Sequence, residues 1–179
     1  MKIKFTATKV ALALSAAILS SSPVIAAEKM KIGITQNNVG VDSYQTTYEK
    51  AFKESAAGMS DVETIVLDAG GDVARQISQM QDLIQQNVDA IIVWPTYGQA
   101  LVPAVRQAYK AGIPVIVTNS QIAEAGRQFI ASFSGPNNIT QGKYSAEMMC
   151  DALDNKGQIV QISGQPGYST AIERQKGFE

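Results

Sequence analysis

Nine consecutive residues, Gln36-Asn37-Asn38-Val39-Gly40-Val41-Asp42-Ser43-Tyr44, bring together three amides, a carboxylate, a hydroxyl and a phenol. Amide groups donate and accept hydrogen bonds, which matches the hydroxyls of a small polar solute, and an aromatic face covers the C–H side of a ring. Asn37, Asn38, Asp42 and Tyr44 are therefore candidate contacts. The same residue types also build local structure. Asn37 and Asn38 suit a turn, Asp42 or Ser43 a helix N-cap, and Tyr44 a first-turn core position.

Two further stretches have this character. Trp94-Pro95-Thr96-Tyr97 carries the single tryptophan of the chain, which either floors a cleft or fills the core beneath a loop. Thr118-Asn119-Ser120-Gln121 offers Asn119 and Ser120, neutral groups with both donors and acceptors.

Other chemistry has no visible carrier. The chain contains no histidine, which removes His-based triads and His metal sites from these 179 residues. Neither a Gly-x-x-x-x-Gly-Lys-Ser/Thr string nor a Gly-x-Gly-x-x-Gly fingerprint occurs, and Gly70-Gly71 reads as a turn. Cys150 is the lone cysteine, so no internal disulfide forms, and its place on an apolar helix stripe marks it as a small core residue. Neither catalysis nor a cofactor is expected.

The elements that position these residues follow from periodicity. Short β-rich runs at Lys31–Thr35, Glu63–Leu67, Ala90–Trp94 and Pro114–Asn119 alternate with helix-length amphipathic segments, which predicts an α/β fold with a doubly wound parallel sheet. Ile91-Ile92-Val93 and Val115-Ile116-Val117 are apolar at consecutive positions, as strands covered on both faces are. Tyr44, Tyr48, Ala51, Phe52 and Ser55 recur at helical spacing before Gly58. Asp72 caps a second helix with the stripe Val73, Ile77, Met80 and Ile84, and a third runs from about Gln99 to Ala111 before Gly112-Ile113-Pro114. Phe129–Ser134 reads as a further strand, Ser134-Gly135-Pro136-Asn137 as a break, and Asn138 as a helix cap with Gln141 completing a capping box. The next helix should bury Ala146, Met149, Cys150 and Leu153 and end at Lys156-Gly157 before a strand at Gln158–Ser163. In such a sheet the loops beyond the carboxyl ends of the strands form the ligand crevice, and those loops hold the candidates named above.

The chain opens with Lys2 and Lys4, an uncharged apolar run from Val10 to Leu19 and a small, polar stretch from Ser20 to Ala27. That pattern is a secretory signal peptide, residues 1–26, with cleavage expected after Ala26 or Ala27 and a soluble mature chain. Its removal takes Lys2, Lys4 and Lys9 and no acid, so the 15 basic residues become 12 against 16 acidic ones, a net charge of −4. A mildly acidic surface disfavours nucleic acid and anionic membranes as partners. The last residues, Gly167 to Glu179, read as a loop opening a helix, and the sequence is expected to be the leading part of a longer protein.

From Met30 onward, the order of elements and several strings resemble the ribose-binding-protein type of periplasmic binding proteins, the type I family. The strings are Ile91-Ile92-Val93-Trp94-Pro95-Thr96, Ala111-Gly112-Ile113-Pro114-Val115-Ile116-Val117, Ile130-Ala131-Ser132, and Ser169-Thr170-Ala171-Ile172-Glu173-Arg174-Gln175-Lys176-Gly177-Phe178. The resemblance implies two α/β lobes joined by three hinge crossings, with residues 27–134 as the N-terminal lobe and 135–179 as the beginning of a C-terminal lobe only partly present. It implies a monomeric, non-enzymatic periplasmic protein that captures a sugar or polyol and docks on the membrane permease of an ABC importer. An exported sensor coupled to a chemoreceptor fits the same features. Repressors that share these lobes begin with a DNA-binding headpiece, and no such segment opens this chain.

The resemblance also places Arg174 on the family's ligand-binding arginine, whose five fixed donors suit vicinal hydroxyls or a carboxylate. Its alternative is an ion pair with Glu173, and Tyr168 and Gln165 in the preceding loop are weaker candidates. Ribose binders carry an Asp-Arg pair where Asn119-Ser120 stands, and paired phenylalanines where Ser43-Tyr44 stands. A neutral amide and hydroxyl cannot supply charge-assisted bonds, so a ligand other than ribose is expected.

Overall fold

The computed structural model describes residues 28–179, and the expected signal peptide lies outside them. Five strands, β1 (Met30–Gln36), β2 (Val62–Asp68), β3 (Ala90–Val93), β4 (Val115–Thr118) and β5 (Ser132–Ser134), pair in parallel in the order β2-β1-β3-β4-β5. They alternate with α1 (Ser43–Ala57), α2 (Val73–Gln85) and α3 (Val102–Lys110), and α4 (Asn138–Ala152) and α5 (Ser169–Phe178) follow. The fold is a doubly wound α/β sheet. The chain steps from β1 outward to β2, then crosses back to β3, so the connections after β1 and β3 diverge and leave a crevice between them.

The main core lies between the sheet and the α2–α3 layer. Ile91 and Val93 of β3 and Val115 and Val117 of β4 meet Met80, Leu83, Leu101, Ala104, Val105 and Ala108 there, all fully buried or nearly so. Ile92 and Ile116 point to the opposite face and are only partly buried, so the consecutive apolar run is buried unequally on its two sides. On that side α1 presents Tyr48 and Phe52, with Gln45 and Ala56, rather than Ala51 and Ser55, which are exposed. Among the described residues no helix is long and apolar enough to cross a membrane.

Local chemistry sets the ends of the helices. Asp42 caps α1 by accepting from the Gln45 N–H at 2.7 Å, and Asp72 caps α2 by accepting from the Ala74 and Arg75 N–H groups. Gly112 follows α3 with φ +76°, the left-handed conformation glycine takes without a Cβ penalty, and Pro114 bars continuation. The third helix starts later than its periodicity suggests, at Val102, because residues 98–101 form a turn first.

Several expectations are corrected. The strand expected at Phe129–Ser134 is confined to Ser132–Ser134, because Glu124–Phe129 coils into a 3₁₀ turn. Asn137, not Asn138, caps α4, accepting from the Thr140 N–H at 3.0 Å, which frees Asn138 for another role and leaves Gln141 out of the capping-box position. Gln158–Ser163 pairs with no strand and runs exposed, with Val160 and Ile162 at 93% and 95% accessibility. Because nothing from that segment covers α4, the stripe expected to be buried is not: Met149, Cys150 and Leu153 are exposed and Ala146 is partly so.

Packing of α4 on α5 is close enough to bring backbone against backbone. A Cβ on Gly142 would collide with the Arg174 carbonyl oxygen, and one on Gly177 with the Ile139 carbonyl oxygen. These two glycines set the distance at which α5 lies and therefore where Arg174 stands.

Candidate functional site

A cleft of about 590 Å³ opens at the carboxyl ends of β1, β3 and β4. It is lined by Asn37, Asp42, Tyr44, Gln45, Trp94, Asn119, Ser120, Pro136, Gln141, Tyr168, Thr170 and Arg174. Seven of the eight residues singled out from the sequence thus share one wall system. The exception is Asn38, whose side chain lies 3.5 Å from the Cβ position of Gly71, beside the turn after β2. Its neighbour Asn37 is buried, and the Asn37 Oδ1 accepts from the Asn38 N–H at 2.8 Å, so this residue both shapes the turn and lines the cleft.

The floor is aromatic. Trp94 is 4% exposed and receives Tyr44 and Tyr48 of α1 edge-on, with ring centroids at 5.8 and 5.2 Å. Its backbone is held from the other face of the sheet by Gln76. That fully buried amide donates from Nε2 to the Trp94 carbonyl and accepts at Oε1 from the Thr96 N–H, both at 2.8 Å. Gln76 sits on the apolar face of α2, where periodicity treats a glutamine as an interruption. Its partners, Trp94 and Thr96 in the loop that follows β3, could not be read from spacing.

Asn119 follows β4 directly and has φ +60°, a left-handed conformation that asparagine tolerates better than most side chains. This conformation turns the chain so that the Asn119 N–H donates to the Ser134 carbonyl at 2.9 Å, while the Tyr44 hydroxyl donates to the Asn119 Oδ1 at 3.1 Å. Tyr44 is 56% exposed and so is not a core residue. Asp42 combines its cap with a place on the cleft wall.

The opposite wall comes from α5 and the loop before it. Ser120 Oγ and Thr170 Oγ1 lie 3.0 Å apart, the Gln165 Nε2 donates to the Tyr97 hydroxyl at 3.0 Å, and Tyr97 and Tyr168 pack edge to face at 5.3 Å. Arg174 makes no ion pair with Glu173: the salt bridges among the described residues are Lys50–Glu54, Lys53–Glu49, Arg127–Glu124 and Lys143–Glu147. Instead its Nε donates to the Asn138 Oδ1 at 3.2 Å.

Gln45, Pro136, Gln141 and Thr170 are the cleft residues that sequence reasoning missed. Gln45 is 8% exposed and its Oε1 takes no hydrogen bond from the described residues. Its position three residues after Asp42 on the sheet-facing side of α1 was the available signal. Among the described residues no group of three or more His, Cys, Asp or Glu is placed to hold a metal ion. Apart from Pro136, the lining groups are hydrogen-bonding or aromatic ones suited to a hydroxyl-rich solute, with one carboxylate, Asp42, and one guanidinium, Arg174, among them.

A crevice of this kind, at the switch point of a doubly wound sheet, is where α/β folds of this class hold their ligands. Residues 32–179 match the periplasmic binding protein domain model, and the chain belongs to that family. It is similar to the ribose import binding protein of Bacillus subtilis, with 34% identity over 125 residues, 70% of this chain and 40% of that protein. A xylitol-binding protein of Mycolicibacterium smegmatis shares 35% identity over 146 residues, 82% of this chain and 38% of the relative. Among solved structures, an ABC transporter solute-binding protein from Bacillus halodurans with bound myo-inositol superposes with a TM-score of 0.79 at 33% identity, over 85% of this chain and 52% of that one. The chain thus spans about half the length, or less, of the relatives it matches. The fold is that of the type I periplasmic binding proteins, as the resemblance implied.

Proposed function

We propose that this chain supplies the first lobe and the opening part of the second lobe of a periplasmic solute-binding component of an ABC importer, which captures a sugar or polyol. The observation that carries the reading is the cleft itself. Amides and hydroxyls at the ends of three strands face a guanidinium on α5 across an aromatic floor. Tyr44 and Trp94 cover the C–H side of the ligand, Asn37, Asp42, Gln45, Asn119 and Ser120 bond its hydroxyls from the sheet side, and Arg174 bonds it from the other. The names of its relatives support a polyol or sugar, and the neutral Asn119-Ser120 favours a ligand bound without a carboxylate–guanidinium pair on that wall.

In this reading the N-terminal lobe is residues 27–134 and the first hinge crossing runs through Gly135-Pro136-Asn137, between β5 and α4. Hinge motion makes and breaks the Ser120–Thr170 and Gln165–Tyr97 contacts, ligand shifts the balance toward closure, and the monomeric closed form docks on a membrane permease. No bond is made or broken in the ligand.

A thermal-shift titration of the full-length protein with D-ribose, xylitol and myo-inositol tests the reading. A ligand at a hundred times its Kd adds about 2.7 kcal/mol to the folded state. We expect a saturable rise with at least one of the three that is lost in Asn119→Ala and Arg174→Ala variants that still fold. A rise that survives both substitutions unchanged would place the ligand elsewhere and refute the assignment of this cleft.

A further inference from the structure

Asn138 is 1% exposed, has no part in capping α4, and spends both ends of its amide on α5. Its Oδ1 accepts from the Arg174 Nε at 3.2 Å and its Nδ2 donates to the Glu173 Oε2 at 3.0 Å. An arginine is a long, freely rotating side chain, and its guanidinium is planar, so fixing Nε fixes the plane in which the two terminal nitrogens lie. Arg174 is exposed and lines the cleft, and its Nε bond to Asn138 is directed away from solvent, into the α4–α5 contact. The amide also holds the Glu173 carboxylate by a bond of its own, and no Glu173–Arg174 ion pair forms among the described residues.

We infer that Asn138 is a positioning residue for ligand recognition: it sets the plane of the Arg174 guanidinium through Nε and occupies the carboxylate that would otherwise draw that guanidinium out of the cleft. The inference rests on the proposed role of Arg174 as a ligand contact. Asn138 itself touches no ligand and acts through Arg174. The glycine contacts hold α4 and α5 at close approach beside this pair: at Gly142 and Gly177 the two backbones lie nearer than a Cβ would allow.

Two measurements on the full-length protein test it. The first needs no ligand: the Arg174 Nε–H resonance, assigned by its loss in Arg174→Ala, is expected to be slowed in exchange with water in the natural protein and to exchange freely in Asn138→Leu. Equal exchange in both overturns the inference whatever the protein binds. The second is a double-substitution cycle on the affinity for whichever of D-ribose, xylitol or myo-inositol binds. Asn138→Leu is expected to weaken binding at least fivefold in the natural background and less than twofold once Arg174 is alanine. A full fivefold loss in both backgrounds would make Asn138 merely structural and overturn the inference. No loss on Arg174→Ala alone would refute the role of Arg174 instead. Asn138→Asp, which keeps the acceptor for Nε, is the second variant: it is expected to retain slow Nε–H exchange, and loss of that protection in a folded Asn138→Asp protein counts against the assignment.

Discussion

Gln76→Met removes two hydrogen bonds while keeping nearly the same shape, and its cost follows from where the bonds lie. The Trp94 carbonyl and the Thr96 N–H, each bonded to Gln76 at 2.8 Å, are both buried and lose their partner together. A buried backbone group left without a partner costs about 1–3 kcal/mol, so the pair should cost roughly 4 kcal/mol. The comparison that isolates burial is Gln79→Met, one turn further along α2. Gln79 also makes two bonds, accepting from the Thr35 hydroxyl at 2.7 Å and donating to the Asp68 carbonyl at 2.8 Å. Asp68 is exposed, so water replaces that bond, whereas Thr35 is fully buried and its hydroxyl loses an acceptor; with one buried partner stranded instead of two, the expected loss is about 2 kcal/mol. Denaturant unfolding of the two full-length variants, followed by circular dichroism, measures both. A Gln76→Met loss below about 1 kcal/mol, or one no larger than that of Gln79→Met, would refute the claim that burial of the Trp94 turn decides the difference.

Asn119→Ala should lose about 1 kcal/mol more stability than Asn119→Gly, because alanine carries a Cβ into the left-handed conformation at φ +60° whereas glycine does not. Both remove the acceptor for the Tyr44 hydroxyl, so denaturation should separate them while ligand titration should not. Gly142→Ala forces a methyl against the Arg174 carbonyl and should cost at least about 2 kcal/mol, with a parallel loss of ligand affinity as α5 moves; normal stability and normal affinity in this variant would contradict the close packing of α4 and α5.

Much of this was legible in the sequence because single residues decide it. Asp72 announces α2, Gly112-Ile113-Pro114 closes α3, and the apolar β3 and β4 runs give the parallel sheet and hence the strand ends where the cleft must lie. Asn37, Trp94 and Asn119 were placed by that topology alone. Other features depend on partners far along the chain. Asn137 and Asn138 are identical side chains at adjacent positions, and spacing alone does not decide which one caps and which one is buried against Arg174. Periodicity also assumes that an apolar stripe finds a cover. Met149, Cys150 and Leu153 have the pattern of a core and remain exposed, since Gln158–Ser163 does not pack as a strand across them.

The walls of the cleft come from stretches widely separated in the chain: crossover connections of the parallel sheet bring Asn37, Trp94 and Asn119 together, and the packing of α4 on α5 adds Gln141 and Arg174. No single local stretch of the chain holds all of these walls. Contacts that form after the rate-limiting step of folding govern the rate of unfolding instead. A bound solute should therefore leave the speed of folding nearly untouched and slow the escape from the native state, so that the ligand acts as a kinetic lock: protease resistance and residence time rise together with occupancy, while the unliganded chain folds as though the ligand were absent.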